Sequence, residues 1–254
     1  MHKKEQILFI VLGGFFICNA IVAEIIGGKL FSVELTLGFE QADIWLFGEK
    51  RSFIMTAGVL LWPFVFIMTD IINEYFGMRG VKILSWLAAA LIAYAFLMIL
   101  LAMNTEPASF WQFYTLPDGG KMDLEVAFDQ IFGQGLWIII GSLIAFLTAQ
   151  FLDAVIFRYL KRRTGEKALW LRATGSTLVS QLLDSFVVLF IAFYIGADWT
   201  LETVLAIGIV NYIYKFSVAV CLTPFLYLVH AAVDRFLGND LSREMMEKAG
   251  RKSG

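Results

Sequence analysis

Five ionisable side chains stand inside long apolar stretches of this chain: Glu24, Asp70, Asp153, Asp184 and Lys215. Asn19, Gln150, Gln181 and Asn211 share those stretches. In hydrocarbon a charged group costs about 2.5–3.5 kcal/mol at a helix centre, so it normally faces a partner or a cavity. Converging carboxylates accept hydrogen bonds from N–H groups, and amides reach carbonyl edges. Such a cluster fits a polar substrate or a coupling ion. Glu24, Asp70 and Asp153 also lie near expected span ends, where side chains can reach interfacial water. Asp184 and Lys215 stand about 12 Å and 18 Å into their helices at 1.5 Å per residue. At that depth a mutual salt bridge is the least costly arrangement, whether purely structural or part of a substrate site. Gln150 and Asp153, like Gln181 and Asp184, are spaced i, i+3 and share a helix face. The repetition is a weak sign of internal duplication. Trp62-Pro63 reads as a break in mid-span that frees a backbone carbonyl, with Trp62 and Phe64 available to stack on a planar ring.

The elements that must hold these groups follow from hydropathy. Of 254 residues, 59% are hydrophobic and 17% charged, and the mean hydropathy is +0.74. Soluble domains carry roughly 45–50% apolar and 25% charged residues. The expected fold is an all-α integral membrane protein, a single domain over 1–254 with six transmembrane helices. A helix needs about 20 apolar residues to cross the bilayer, and six blocks meet that length, approximately 6–28, 52–72, 81–103, 134–157, 176–195 and 203–229. The first block follows Lys3 and Lys4 as a secretory signal would, but its length, Glu24 and the lack of a convincing cleavage site read it as a span. Alternate flanks carry fifteen Lys and Arg on one side against four on the other, which predicts cytoplasmic termini. The richer side includes Arg158, Lys161, Arg162, Arg163, Lys167, Arg172 and Lys252.

Glu34, Glu40, Asp43 and Glu49, with Asp118, Asp198 and others, give the opposite face an acidic rim. It is read chiefly as charge bias and secondarily as a mild attraction for cationic solutes. The stretches 36–48 and 108–133 are long enough to fold over that face, with Trp45, Trp111 and Tyr114 as interfacial anchors. Ala88-Ala89-Ala90 and Ala93 allow close helix approach, as scaffold or as a partner surface, so a second copy of the chain belongs among the expected partners beside the lipid bilayer.

Several classes fall away. The net charge of −2 offers no concentrated basic face for nucleic acid. Cys18 and Cys221 are read as buried free thiols, and two histidines cannot build a metal site, so no cofactor or metal is expected. No phosphate-loop motif supplies an ATPase. Rhomboid-like hydrolysis needs a buried Ser–His pair, and His230 sits at a span end; Asp153 and Asp184 could serve an intramembrane aspartyl-type hydrolase, the remote alternative, but neither carries its Gly-x-Gly-Asp context. No catalytic residue is expected.

Thr69-Asp70-Ile71-Ile72-Asn73-Glu74-Tyr75-Phe76-Gly77, following Trp62-Pro63, resembles the signature of the queuosine precursor transporter family, also called the vitamin uptake transporter family. The likeness continues through Ser142–Leu147, Gln150–Asp153, Ser176–Ser185, Phe190–Phe193, Asn211–Lys215 and Thr223-Pro224. It implies a six-helix inner-membrane importer of 7-cyano- and 7-aminomethyl-7-deazaguanine. The candidate substrate-binding residues are Asp184, Asp70, Lys215, Gln181, Asp153, Gln150, Asn211, Trp62, Glu24, Asn73 and Glu74. A carboxylate would take the guanine-like N–H edge, amides the carbonyl, and Trp62 the ring face. The substrate-binding subunit of an energy-coupling vitamin importer, which needs a separate ATPase, is the alternative of similar shape.

Overall fold

The structure, a computed structural model, describes residues 3–42, 44–46, 49–133, 136–164, 169–196 and 198–251. Asp43, Gly48, Gln134, Lys167 and Lys252 lie outside the described residues, as do the side chains of Glu49, Lys50 and Arg51. In lipid every backbone polar group must be satisfied within the chain, which drives apolar blocks into helices. In order these are α1 (Lys3–Ile26), the single turn α2 (Val33–Thr36), α3 (Trp62–Met103), α4 (Ser109–Gln112), α5 (Leu124–Phe132), α6 (Leu136–Thr164), α7 (Leu169–Leu189), α8 (Leu201–Cys221), α9 (Thr223–Leu237) and α10 (Asn239–Arg251). A π-helical segment, Phe190–Ile195, prolongs α7. Among the described residues five helical spans are long and apolar enough to cross a membrane: Lys3–Ile26, Trp62–Met103, the span 124–164 that holds α5 and α6, Leu169–Ile195 and Leu201–Cys221. The chain is therefore an all-helical, multi-pass membrane protein.

The longest of these helices is not straight. Gly77 in α3 has φ 69° and ψ −176°, a conformation essentially confined to glycine. The two arms, 62–76 and 78–103, run in opposite senses along α1. A Cβ on Gly58 would meet Ala23, and Phe9 touches Phe76, so the first arm runs against α1. Gly13 lies against Leu84, so the second arm returns with it. Any side chain at 77 would also press on the Ala249 carbonyl of α10 at 3.1 Å.

Proline explains two departures from the hydropathy blocks. Pro63 does not break a helix in its middle: it stands in the first turn of α3, where its missing N–H costs nothing. The residues before it form a 3-10 turn, Ala57–Leu60, and a strand, Ile54–Thr56. Pro224 likewise begins α9, so the block 203–229 is two helices meeting at Leu222. α7 starts at Leu169, earlier than hydropathy placed it, which brings Arg172 into the helix.

Among the described residues three two-stranded antiparallel ribbons, not foreseen in an all-α reading, join the helices: Leu30–Ser32 with Ile54–Thr56, Ile44–Leu46 with Glu49–Arg51, and Phe113–Thr115 with Lys121–Asp123. Glu34, assigned from sequence to a solvated acidic rim, is instead a buried staple. Its carboxylate accepts from Ser32 Oγ at 2.8 Å, Phe53 N at 2.8 Å and Ala42 N at 3.4 Å. Trp45, Trp111 and Tyr114 are exposed. Cys18 and Cys221 are exposed rather than buried, on the outer faces of apolar helices. Ala88 and Ala89 pack into the chain's own core while Ala90 and Ala93 face outward.

The N-terminus, the Gly77 bend and the last two helices gather at one end of the bundle. There Lys4 Nζ donates to the Phe236 carbonyl at 2.8 Å, and Trp170 N donates to Tyr227 Oη at 3.2 Å. Tyr75 Oη donates to Asp234 Oδ1 at 2.7 Å, and Asp234 also receives Ser242 Oγ at 2.5 Å and His230 Nδ1 at 3.0 Å.

Candidate functional site

The first arm of α3, α7, α8 and the start of α9 surround a cleft with about 490 Å³ of empty space, counting its open mouth. α3 contributes Trp62, Pro63 and Asp70, α7 Thr177 and Gln181, and α8 Lys215, with Phe66, Ile67, Leu222 and Leu226 as apolar wall. Mostly apolar walls with a few placed polar groups are the usual make-up of a small-molecule site. Trp62 is held by a tilted contact with Phe146, ring centroids 5.5 Å apart. Phe64 turns elsewhere, edge-on to Phe225 at 5.8 Å.

The α7 side chains reach the cleft because one face of that helix is polar throughout. Arg172, Ser176, Thr177, Ser180 and Gln181 recur at helical spacing, and all are buried. The first arm of α3 docks beside them through hydrogen bonds to α6. Thr69 Oγ1 donates to Gln150 Oε1 at 2.6 Å, and Asn73 Nδ2 donates to the Ala154 carbonyl at 3.1 Å. Between those two contacts the Asp70 and Asp153 carboxyl groups lie within hydrogen-bonding reach of each other. Asp153 Oδ1 also accepts from Ser180 Oγ at 3.1 Å and Thr177 Oγ1 at 3.5 Å.

Two further charged clusters flank the cleft. Lys215 Nζ lies 2.5 Å from Asp184 Oδ2, both side chains largely shielded. Glu24, buried on α1, accepts from the Ser142 hydroxyl and lies within electrostatic reach of Asp184 and Lys215. Toward the Gly77 end, Arg172 Nη2 is 3.1 Å from each Glu74 carboxylate oxygen, and Lys161 Nζ is 3.1 Å from Oε1. The Arg172 guanidinium also lies over the Phe157 ring at 5.6 Å.

Of the sequence-derived candidates, then, Trp62, Asp70, Gln181 and Lys215 line one cleft. Asp184 touches it only through Lys215. Asp153, Gln150 and Asn73 stand behind Asp70, Glu74 belongs to the arginine cluster, and Glu24 lies against α6. Asn211 is half-buried on α8 and does not line the cleft. Glu24, Asp70 and Asp153 do not extend to interfacial water: they are 7%, 3% and 0% exposed. Sequence reasoning missed Arg172, Lys161, Thr177 and Ser180. The polar stripe from Arg172 to Asp184 was the signal that could have found three of them.

Two residues of the cleft lining, Asp70 and Gln181, each carry a buried acceptor, Oδ1 and Oε1, to which no donor is bonded among the described residues. A buried polar atom left so costs about 1–3 kcal/mol, and atoms of this kind mark where a ligand's donors would bind.

A multi-pass helical body with a cleft of mostly apolar walls and a few placed polar groups, and buried charge on either side of it, has the architecture of a membrane transporter. Residues 56–229 match the family model described as "Putative vitamin uptake transporter", and the chain belongs to that family. It is a transporter and not an enzyme. It is 32% identical over 193 residues to a protein of Bacillus subtilis (strain 168) named "Probable queuosine precursor transporter", covering 73% of this chain and 74% of that one. A Haemophilus influenzae protein of the same name is 29% identical over 175 residues, 67% of this chain and 66% of its own. No solved structure matches.

Proposed function

We propose that this chain imports 7-deazaguanine precursors of queuosine, the 7-cyano and 7-aminomethyl forms, across the inner membrane. The observation that carries the reading is the cleft itself, which Trp62, Asp70, Gln181 and Lys215 line together, with no donor bonded to Asp70 Oδ1 or Gln181 Oε1 among the described residues. The ring N–H and exocyclic amine of a guanine-like edge match two acceptors, the carbonyl matches a lysine donor, and an indole covers the flat face. The names of the two relatives support the same cargo. Asp70 is the favoured carboxylate, since Lys215 already engages Asp184. Gln150, Asn73, Glu74 and Glu24 act by holding the helices around the base.

Uptake of radiolabelled 7-cyano-7-deazaguanine by cells unable to make queuosine tests this. Guanine, which keeps the hydrogen-bonding edge, should compete weakly and adenine should not, because adenine leaves buried acceptors unmatched. Asp70→Asn should raise the half-saturating concentration at least about tenfold, the loss of one charged hydrogen bond. Equal inhibition by adenine would overturn the substrate class.

We further propose six passes with both termini in the cytoplasm, the two arms of α3 each making one pass. The gathering of Lys4, Lys161, Arg172 and Arg235 toward the Gly77 end supports this. Cysteines placed at Asp118 or Asp198 should react with an impermeant reagent added outside, and one at Arg163 should not. The opposite pattern would reverse the orientation.

A further inference from the structure

Asp70 and Asp153 form an arrangement that substrate recognition alone does not require. Both are buried, 3% and 0% exposed, on helices pinned together within three residues to either side by the Thr69–Gln150 and Asn73–Ala154 hydrogen bonds. Their carboxyl groups lie within hydrogen-bonding reach of one another. Ionised carboxylates only accept, so a bond between two of them needs a proton on one. The pair touches the transport path on one side, because Asp70 lines the cleft and its Oδ1 has no donor among the described residues. On the other side Asp153 rests on Ser180 and Thr177.

The groups facing the pair come from its own two helices, α3 and α6, and from α7. Gln150 on α6 is engaged by Thr69. Ser176, Thr177 and Ser180 on α7 offer hydroxyls. Glu74, one turn on from Asp70, and Arg172 on α7 are within electrostatic reach of Asp70. The Arg172 guanidinium grips both oxygens of Glu74 at 3.1 Å.

We propose that the Asp70–Asp153 pair binds the proton that drives transport, so that the base and one proton enter together. This rests on the importer reading. With no proton the pair would place two anions side by side away from water, which proteins avoid. With one proton, Asp153 holds it while Asp70 presents an anionic oxygen to the donor edge of the base. The base therefore binds best to the singly protonated pair, and by linkage the proton binds best when the base is present. That mutual preference is what couples the two fluxes.

The full-length protein in proteoliposomes, with radiolabelled 7-cyano-7-deazaguanine, provides the test. This neutral cargo avoids the charge of the aminomethyl form. One proton per neutral base predicts accumulation of about tenfold for one pH unit, inside alkaline, with the membrane potential clamped. A sodium gradient at equal pH should give none. Asp153→Asn should still exchange labelled for unlabelled base but accumulate none. Ser180→Ala, a milder change, should keep accumulation and move the pH of half-maximal uptake. Base uptake that equilibrates without responding to the pH gradient would overturn the proton site while leaving the importer reading intact. So would full accumulation by Asp153→Asn or an unmoved pH midpoint in Ser180→Ala. Absence of any base uptake or exchange by the wild type would instead overturn the importer reading, and this proposal with it.

Discussion

Arg172→Leu is expected to lose most of its folded protein in detergent, with a destabilisation of about 3–5 kcal/mol, the usual cost of stripping one partner from a buried ion pair. The guanidinium is 1% exposed and reaches both oxygens of Glu74, itself 1% exposed, at 3.1 Å. Once it is gone, Lys161 still lies 3.1 Å from Oε1, but one cation at one oxygen replaces a fork that held both. The stability at stake is a large part of the roughly 5–15 kcal/mol that typically holds a domain together. Glu74→Leu added to Arg172→Leu should recover much of the loss, because apolar replacement of both partners is often nearly neutral. Lys161 keeps its side chain 14% exposed near the helix end and can turn toward water. A melting curve of the single variant superimposable on the wild type would show the cluster to be energetically idle. A double variant no better than the single would show that Arg172 acts through groups other than Glu74.

That cluster also marks where sequence reading stopped. Glu24, Asp70, Asp153, Asp184 and Lys215 were legible one residue at a time, because each violates the composition of the block around it. Arg172 was not, since hydropathy assigned it to a basic cytoplasmic connection and counting basic residues only deepened that assignment. Charge bias treats every cation beyond a span edge as solvated, yet α7 begins at Leu169 and takes Arg172 inside. Trp62-Pro63 shows a second kind of blindness. Proline in an apolar run is compatible with a kink and with a helix start, and 52–61 is as apolar as a helix although it forms a strand and a 3-10 turn. What resolves the ambiguity is the pairing of Leu30–Ser32 with Ile54–Thr56, a contact between residues more than twenty apart that no local window contains. The joining of Asp70, Gln181 and Lys215 in one cleft is likewise tertiary. The i, i+3 spacing placed Gln181 with Asp184 on a face but not which helix that face meets.

Lys215→Met should fold worse alone than together with Asp184→Asn. Lys215 Nζ lies 2.5 Å from Asp184 Oδ2 with the two side chains 12% and 16% exposed. Removing the cation leaves a carboxylate with little water and brings its field to bear on Glu24, the next carboxyl in reach. A loss of about 3–5 kcal/mol is expected for the single change, and the double change, which leaves no uncompensated charge, should restore most of it. Melting temperatures and the monodisperse fraction on gel filtration read this directly. Transport should separate from folding in the same pair of variants. Lys215 lines the cleft and Asp184 does not, so the refolded double variant still lacks the donor assigned to the base carbonyl. Its half-saturating concentration should stay at least about tenfold above the wild type, one charged hydrogen bond's worth. Asp184→Asn by itself tests the other half, because it keeps the lysine over the cleft and replaces its ionic anchor with an amide. It should bind the base more nearly as the wild type does while folding less well. A double variant that folds and transports normally would reduce Lys215 to a structural counter-ion. One that folds no better than Lys215→Met would mean that the 2.5 Å contact does not carry the energy its burial implies.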